Sequence, residues 1–493
     1  MKKSTLFLFF TFLFFSSFAD GYNFLYNERC VGAYKEYLSL NMEDGNALIR
    51  QELAANPYNL SAVFISDYED FFSLLFNGNK SQFDQFKNHL DARISLLEKG
   101  DTRNPWYRIA KAGIYMHWAM INLRMGENYK GAILFRKAYL LAKENQTKFP
   151  AFEQNKFFLG IGETVVGTLP DEYKWIASLF GMKGNVNKGL AKLTSFINNS
   201  SADDLLRSEA VIIHCYLKFY LQSRQQEVWN FVSGSQFPTQ GNALHAFVKA
   251  NIALNYRKAD AALSTLKNIQ SSKAYSMFPA FDYEMGSALL LKLDNNASVY
   301  FNKFINNDRG KLFVKDAYMQ MAQSYYLQGN MQKAAYYRQQ IKNNGSTNTD
   351  SDKQAQRFAE DNTWVAVPVL KARYLIDGGY YSRALDILND CNVQSLSSVA
   401  DKLEYYFRMG RAYDEMNLDA KAVQYYQTTI SQGRERKEHF AARAALQLGL
   451  MYERLGKKQD AATMYRTCLS MKNHDFQANI DQQAKAGLDR LNF

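Results

Sequence analysis

The sequence predicts an all-α protein, an α-solenoid of stacked helix hairpins, and three observations carry that prediction. A small residue, Gly or Ala, is followed three positions on by a large one, then after four more by a turn residue, after five more by Ala and after another four by an aromatic. That spacing describes two helices joined by a tight turn. Aligning the small residue gives Ala250, Gly286, Ala322, Ala372, Gly410 and Gly449, with steps of 36, 36, 50, 38 and 39 residues. Of 493 residues, 47% are hydrophobic, 15% aromatic and only seven are proline, so the chain is rich in core material and poor in helix breakers.

In chain order, residues 1–19 read as a secretory signal peptide. Lys2 and Lys3 precede an apolar stretch from Leu6 to Phe15, and Ser17 and Ala19 supply the small residues of a cleavage site. The stretch is too short for a bilayer that needs roughly 20 apolar residues, so the mature chain is expected to begin near Asp20 without a transmembrane span. The first cysteine, Cys30, lies well downstream of that site, so no N-terminal lipid anchor is expected. These features point to an exported protein, in a periplasm, associated with an outer membrane or secreted. Residues 20–200 form an N-terminal helical region with degenerate repeats, in which Ala112 and Tyr115 pair with Ala132. Residues 201–342 are helical repeats, 343–362 a polar insert or hinge opened by NNGSTNTDSDKQ, and 363–493 a C-terminal repeat stack.

The cleanest copy is LQLGLMYERLGKKQDAATMYRTCL, with Gly449, Tyr452, Gly456, Ala461 and Tyr465 at the marked positions. Gly449 lets the second helix approach the first, Tyr452 fills the wedge, Gly456 allows the turn and Ala461 permits close crossing of the next pair. Gly410, Tyr413, Asn417, Ala422 and Tyr426 repeat the pattern, as do Ala322, Tyr325, Gly329 and Ala334, while Gly286 opens a weaker copy. At these residues the chain resembles the tetratricopeptide repeat family, whose period is about 34 residues. The resemblance implies a hairpin solenoid that holds other macromolecules, here of an exported bacterial type. Some members grip a partner's terminal carboxylate through Lys and Asn of their first helices; the corresponding positions here hold Met319, Val369, Phe407 and Leu446, so that clamp is not carried over. Residues 167–193, with Gly167, Leu169, Pro170, Trp175, Gly181, Gly184, Gly189 and Leu193, are locally similar to a eukaryotic family of tetratricopeptide proteins associated with inclusion-body clearance. No activity follows from that likeness.

The chemistry the sequence offers is that of binding. The formal charge of +11 falls to +9 without Lys2 and Lys3, and acids and bases are interleaved without a basic run, which argues against nucleic acid as a partner. The four cysteines show no C-x-x-C pair and the six histidines no metal spacing, so neither a metal nor another cofactor is expected. Hydrolase elbows, phosphate loops and dinucleotide fingerprints are lacking, so the chain reads as a non-enzyme. First helices of stacked hairpins line a concave face. Positions one and four after the small residue are expected there, which selects Gln323, Tyr326, Arg373, Arg411, Asp414 and Glu453. Two arginines on adjacent repeats suit a carboxylate or phosphate. The leading reading is an exported adaptor that binds a peptide or helical segment of a protein in the cell envelope. The alternatives are a glycan-binding protein of outer-membrane uptake, which the 32 tyrosines invite, and a glycan-cleaving enzyme on a helical scaffold.

Overall fold

A computed structural model describes residues 21–168, 182, 184–222, 224–307, 310–361 and 363–492. The expected signal peptide lies outside the described residues, as do Leu169, Pro170, Trp175 and Gly181 of the glycine-rich segment. Among the described residues the chain is helical, with one isolated β-bridge between Asn23 and Asn59. No described helix is long and apolar enough to cross a membrane.

Antiparallel helix pairs succeed one another, among them Trp106–Arg124 with Asn128–Lys148, Ala243–Asn255 with Ala259–Ile269, Val399–Glu415 with Asp419–Gly433, and Phe440–Arg454 with Lys458–Ser470. Helix Gln477–Leu491 packs on both helices of the last of these. The turns expose the phase of the repeat in the backbone itself. Seven residues after the small landmark, Arg257, Leu293, Gly329, Gly379, Asn417 and Gly456 all have positive φ. Glycine and asparagine enter that region readily, whereas Arg257 and Leu293 adopt it at about 1–2 kcal/mol each, so packing imposes the turn even in the weaker copies.

The same signature corrects the phase expected for residues 104–139. Gly126 has φ +81°, which places the landmark at Ala119 and the second-helix small residue at Gly131 instead of Ala112 and Ala132. A Cβ on Gly131 would sit 3.1 Å from the Ala119 carbonyl, the close crossing that position exists for. The first hairpin obeys the rule too, with Ala33, Leu40 at φ 61° and Gly45.

At the landmark, glycine is matched to an aromatic on the second helix. A Cβ on Gly286, Gly410 or Gly449 would meet the rings of Phe301, Tyr426 and Tyr465 at 2.9, 2.7 and 2.4 Å. The tyrosine three positions after the landmark is the hairpin wedge: Tyr325 stacks on Tyr337 at 5.4 Å and Tyr413 on Tyr425 at 5.6 Å, with Lys333 and Lys421 over the rings. In the glycine-rich segment, a Cβ on Gly189 would meet the Gly160 carbonyl at 2.6 Å, so helices Asn155–Gly167 and Val186–Asn199 cross in backbone contact.

The region after residue 343 departs from expectation in two ways. The stretch expected to be an insert or hinge carries helix Asp350–Glu360, whose Ala355 and Ala359 pack on Met319 and Ile341. Thr349 caps it by accepting from Asp352 N at 3.0 Å, and the buried Asp352 carboxylate accepts from Phe313 N at 2.8 Å. Helix Val367–Gly378 then lies against three earlier first helices, Ala243–Asn255, Ala280–Leu291 and Val314–Leu327. Arg257 pairs with Glu415 at 3.1 Å and Tyr380 donates to Asp260 at 2.8 Å across that junction. One apolar cluster runs from Cys30 to Met321 and another from Val369 to Met451.

Candidate functional site

On helices Val367–Gly378, Val399–Glu415 and Phe440–Arg454, spacings of three and four residues line up one polar stripe. It comprises Arg373 and Asp377, then Glu404, Arg408, Arg411 and Glu415, then Arg443, Gln447, Leu450 and Arg454. Cross-repeat bonds hold it. Arg373 Nε donates to Glu404 Oε1 at 2.7 Å and its second fork nitrogen to Oε2, while Arg408 Nε donates to Oε1 at 3.1 Å and its fork reaches Asp377 at 3.4 Å. Burial pushes the Glu404 carboxyl up, but the two guanidiniums outweigh it and hold the group at about 2. Arg411 donates to Gln447 Oε1 at 2.7 Å and to Glu415 Oε1 at 2.5 Å.

The structure brings some of the expected residues to this stripe and turns others away. Arg373 and Arg411 are on it, with both forks engaged by the chain's own acceptors. Asp414 and Glu453, expected beside them, point into the hairpin. Tyr426 donates to Asp414 at 3.1 Å and Tyr465 to Glu453 at 2.6 Å, and Arg454 and Arg490 of the following helices complete each group at 3.0 and 2.9 Å. A buried tyrosine hydroxyl needs a partner, and the residue four after the landmark supplies it. Gln323 is 6% exposed and accepts from the Tyr374 hydroxyl, and Tyr326 stacks on Trp364 at 4.5 Å, so the docked helix Val367–Gly378 and the segment leading into it cover both. Arg408, Arg443 and Gln447 are stripe residues that the landmark offsets do not select; the signal for them is the i, i+4, i+7, i+11 series, 404–408–411–415 on one first helix and 443–447–450–454 on the next.

Two buried carboxylates of the N-terminal region are matched within the chain. Asp67 accepts from Arg93 at 3.0 Å and Trp118 Nε1 at 3.1 Å and meets His117 Nδ1 at 2.9 Å. Glu209 joins the hydroxyls of Tyr34 and Tyr68, and burial raises its carboxyl to about 8.

Residues 444–478 match the family described as tetratricopeptide repeat, on the hairpin built around Gly449, Tyr452 and Gly456. The chain carries tetratricopeptide repeats. Three solved structures are similar to it over most of their length. The human IFIT1 dimer with m7Gppp-AAAA is 10% identical with a TM-score of 0.30, over 94% of this chain and 88% of that one. The APC/C hetero-tetramer Cut9-Hcn1 is 12% identical at 0.25, over 92% and 95%. Naa15/Naa10 bound to HypK-THB is 12% identical at 0.23, over 94% and 77%. No curated protein matches the chain.

Proposed function

We propose that this tetratricopeptide-repeat protein is an exported, non-catalytic scaffold whose C-terminal first-helix stripe docks a segment of a protein partner in the cell envelope. The observation that carries the reading is the stripe itself, a rigid row of mixed charge from Arg373 to Arg454, with Asp377 and Arg454 47% and 45% exposed at its margins. Ion pairs across successive repeats fix the side chains before a partner arrives, which lowers the ordering cost of binding. The signal-like residues Lys2 to Ala19 support export.

A photo-crosslinking residue at Leu450, on the stripe, is compared with one at Tyr336, which is 57% exposed on a second helix. The expected outcome is a protein adduct from position 450 alone, on a chain whose N-terminal sequencing begins near Asp20. Equal adducts from both positions, or none from 450, would defeat the docking assignment, and an intact Met1 would defeat export.

A further inference from the structure

The apolar cluster that ends at Met321 and the one that begins at Val369 have no buried residue in common, and partly buried Tyr374 and Leu293 reach across between them. Polar contacts hold the seam. Arg257 pairs with Glu415 at 3.1 Å, with 30% and 25% of those side chains exposed. Tyr380 donates to Asp260 at 2.8 Å, Arg383 to the Lys292 carbonyl at 3.3 Å, and Tyr374 to Gln323. Backbone meets backbone beside them: a Cβ on Gly378 would stand 2.8 Å from the Leu291 carbonyl oxygen, and one on Gly379 closer still to that of Arg257. A cleft of about 380 Å³ opens next to helix Val367–Gly378, between Leu290, Leu293, Ser324, Gln328 and Lys371, so water reaches the seam. The chain crosses from one side to the other through residues 361 and 363–366, which are not helical.

We propose that the helices before residue 361 and those after residue 366 are two bodies that swing about this crossing, held closed by a polar latch built on Arg257 and Glu415. A shared apolar core resists separation in proportion to the area it buries, whereas hydroxyl and ion-pair contacts are exchanged for water at a small net change. The closed state lays helix Val367–Gly378 over the first helices Ala243–Asn255, Ala280–Leu291 and Val314–Leu327, and opening uncovers them. Glu415 belongs to both the latch and the stripe. Its Oε1 accepts from Arg411 at 2.5 Å and from Arg257 at 3.1 Å, so the two arginines compete for one carboxylate oxygen and the latch is coupled to the stripe at a single atom. The latch stands whether or not the stripe docks a protein.

The test is pulsed electron spin resonance on the full chain, labelled at Asn302→Cys and Gln427→Cys, exposed positions one on each body, with Cys391→Ser added because the other three cysteines are buried. One short distance is expected at low salt, and about 0.5 M salt adds a longer one, since a partly exposed ion pair is screened. At low salt, Arg257→Gln and Tyr380→Phe should each raise the ratio of long to short distance about three- to fivefold. Lys218→Gln, which breaks an ion pair with Glu227 away from the seam, should leave the ratio unchanged. Arg411→Gln is expected to lower the ratio, and to have no effect on it in a Glu415→Gln chain. A single unchanged distance in Arg257→Gln, in Tyr380→Phe and at high salt alike would overturn the latch, and an Arg411→Gln effect that survives Glu415→Gln would overturn the coupling. Circular dichroism separates opening, which keeps the wild-type helix content, from unfolding; a longer distance accompanied by lost helix would overturn the two-body assignment as well.

Discussion

Gly449→Ala inverts the usual expectation for a helix interior, where replacing Gly by Ala gains about 1 kcal/mol. The new methyl would lie 2.4 Å from Tyr465 Cε1 and 2.6 Å from Cδ1, against an optimal carbon separation of about 3.5–4.0 Å. The ring cannot retreat. Its other face abuts Gly487, where a Cβ would stand 2.5 Å away, and its hydroxyl is tied to Glu453 at 2.6 Å. Helices Phe440–Arg454 and Lys458–Ser470 must therefore part by about an ångström, an overpacking cost at or above the top of the usual 1–3 kcal/mol, leaving a net loss of about 2 kcal/mol. Urea unfolding combined with hydrogen exchange of the last three helices reads this locally, as a repeat array requires. In a Tyr465→Leu background the clash vanishes and the same Ala substitution becomes favourable by up to about 1 kcal/mol. A stabilised single variant, or an equal cost in both backgrounds, would refute the assignment of the glycine to ring clearance.

Two further outcomes concern charge. Glu404→Gln strands two guanidiniums against a neutral amide at a site 3% exposed, with an expected loss of about 3 kcal/mol in urea midpoint analysis. Since the folded carboxyl sits near 2 against an ordinary 4.5, its stabilisation is full above the ordinary value and fades as pH falls toward 2. Acid unfolding of the variant should lack the wild-type slope in that window. Glu209 behaves oppositely: raised from 4.5 to about 8, it stabilises most below pH 4.5, and that stability is lost as pH rises through 8. Glu209→Gln should narrow the gap between melting temperatures at pH 5.5 and 8.5, and an unchanged gap would show that the carboxyl is not the titrating group.

The hairpin and its phase are legible in the sequence because they are local: Gly449, Gly456 and Ala461 each satisfy a steric demand within one repeat. The phase at Ala119 is hidden because Gly131 and Ala132 are adjacent small residues, and only the positive φ of Gly126 chooses between them. Helix Asp350–Glu360 is masked by its polar composition because what anchors it is distant in sequence, the Phe313 amide held by Asp352 and the Met319 side chain against Ala355 and Ala359. The site divides in the same way. Arg373 and Arg411 stand out as neighbours on successive first helices, but whether each is free depends on residues 31 to 36 positions on, Glu404 and Gln447. The acidic residues Asp414 and Glu453 are misplaced by the landmark offsets because nothing within the first helix reveals the tyrosine that claims them.

That cross-repeat rule makes Arg443→Glu an informative charge reversal. It places an acid where Glu404 sits in the preceding repeat, opposite Arg411, which occupies the place of Arg373. If the stripe is a ladder of such pairs, the substitution completes it and stabilises the C-terminal hairpins by about 1.5–3 kcal/mol, the range of a hydrogen bond to a charged group. Charge reversal on a partly buried arginine ordinarily destabilises, so a lower urea midpoint would mean that Arg443 has structural partners and that the ladder ends at Glu404. A higher midpoint would show that the stack itself favours an acid at this position, so that Arg443 is held there at a cost to stability.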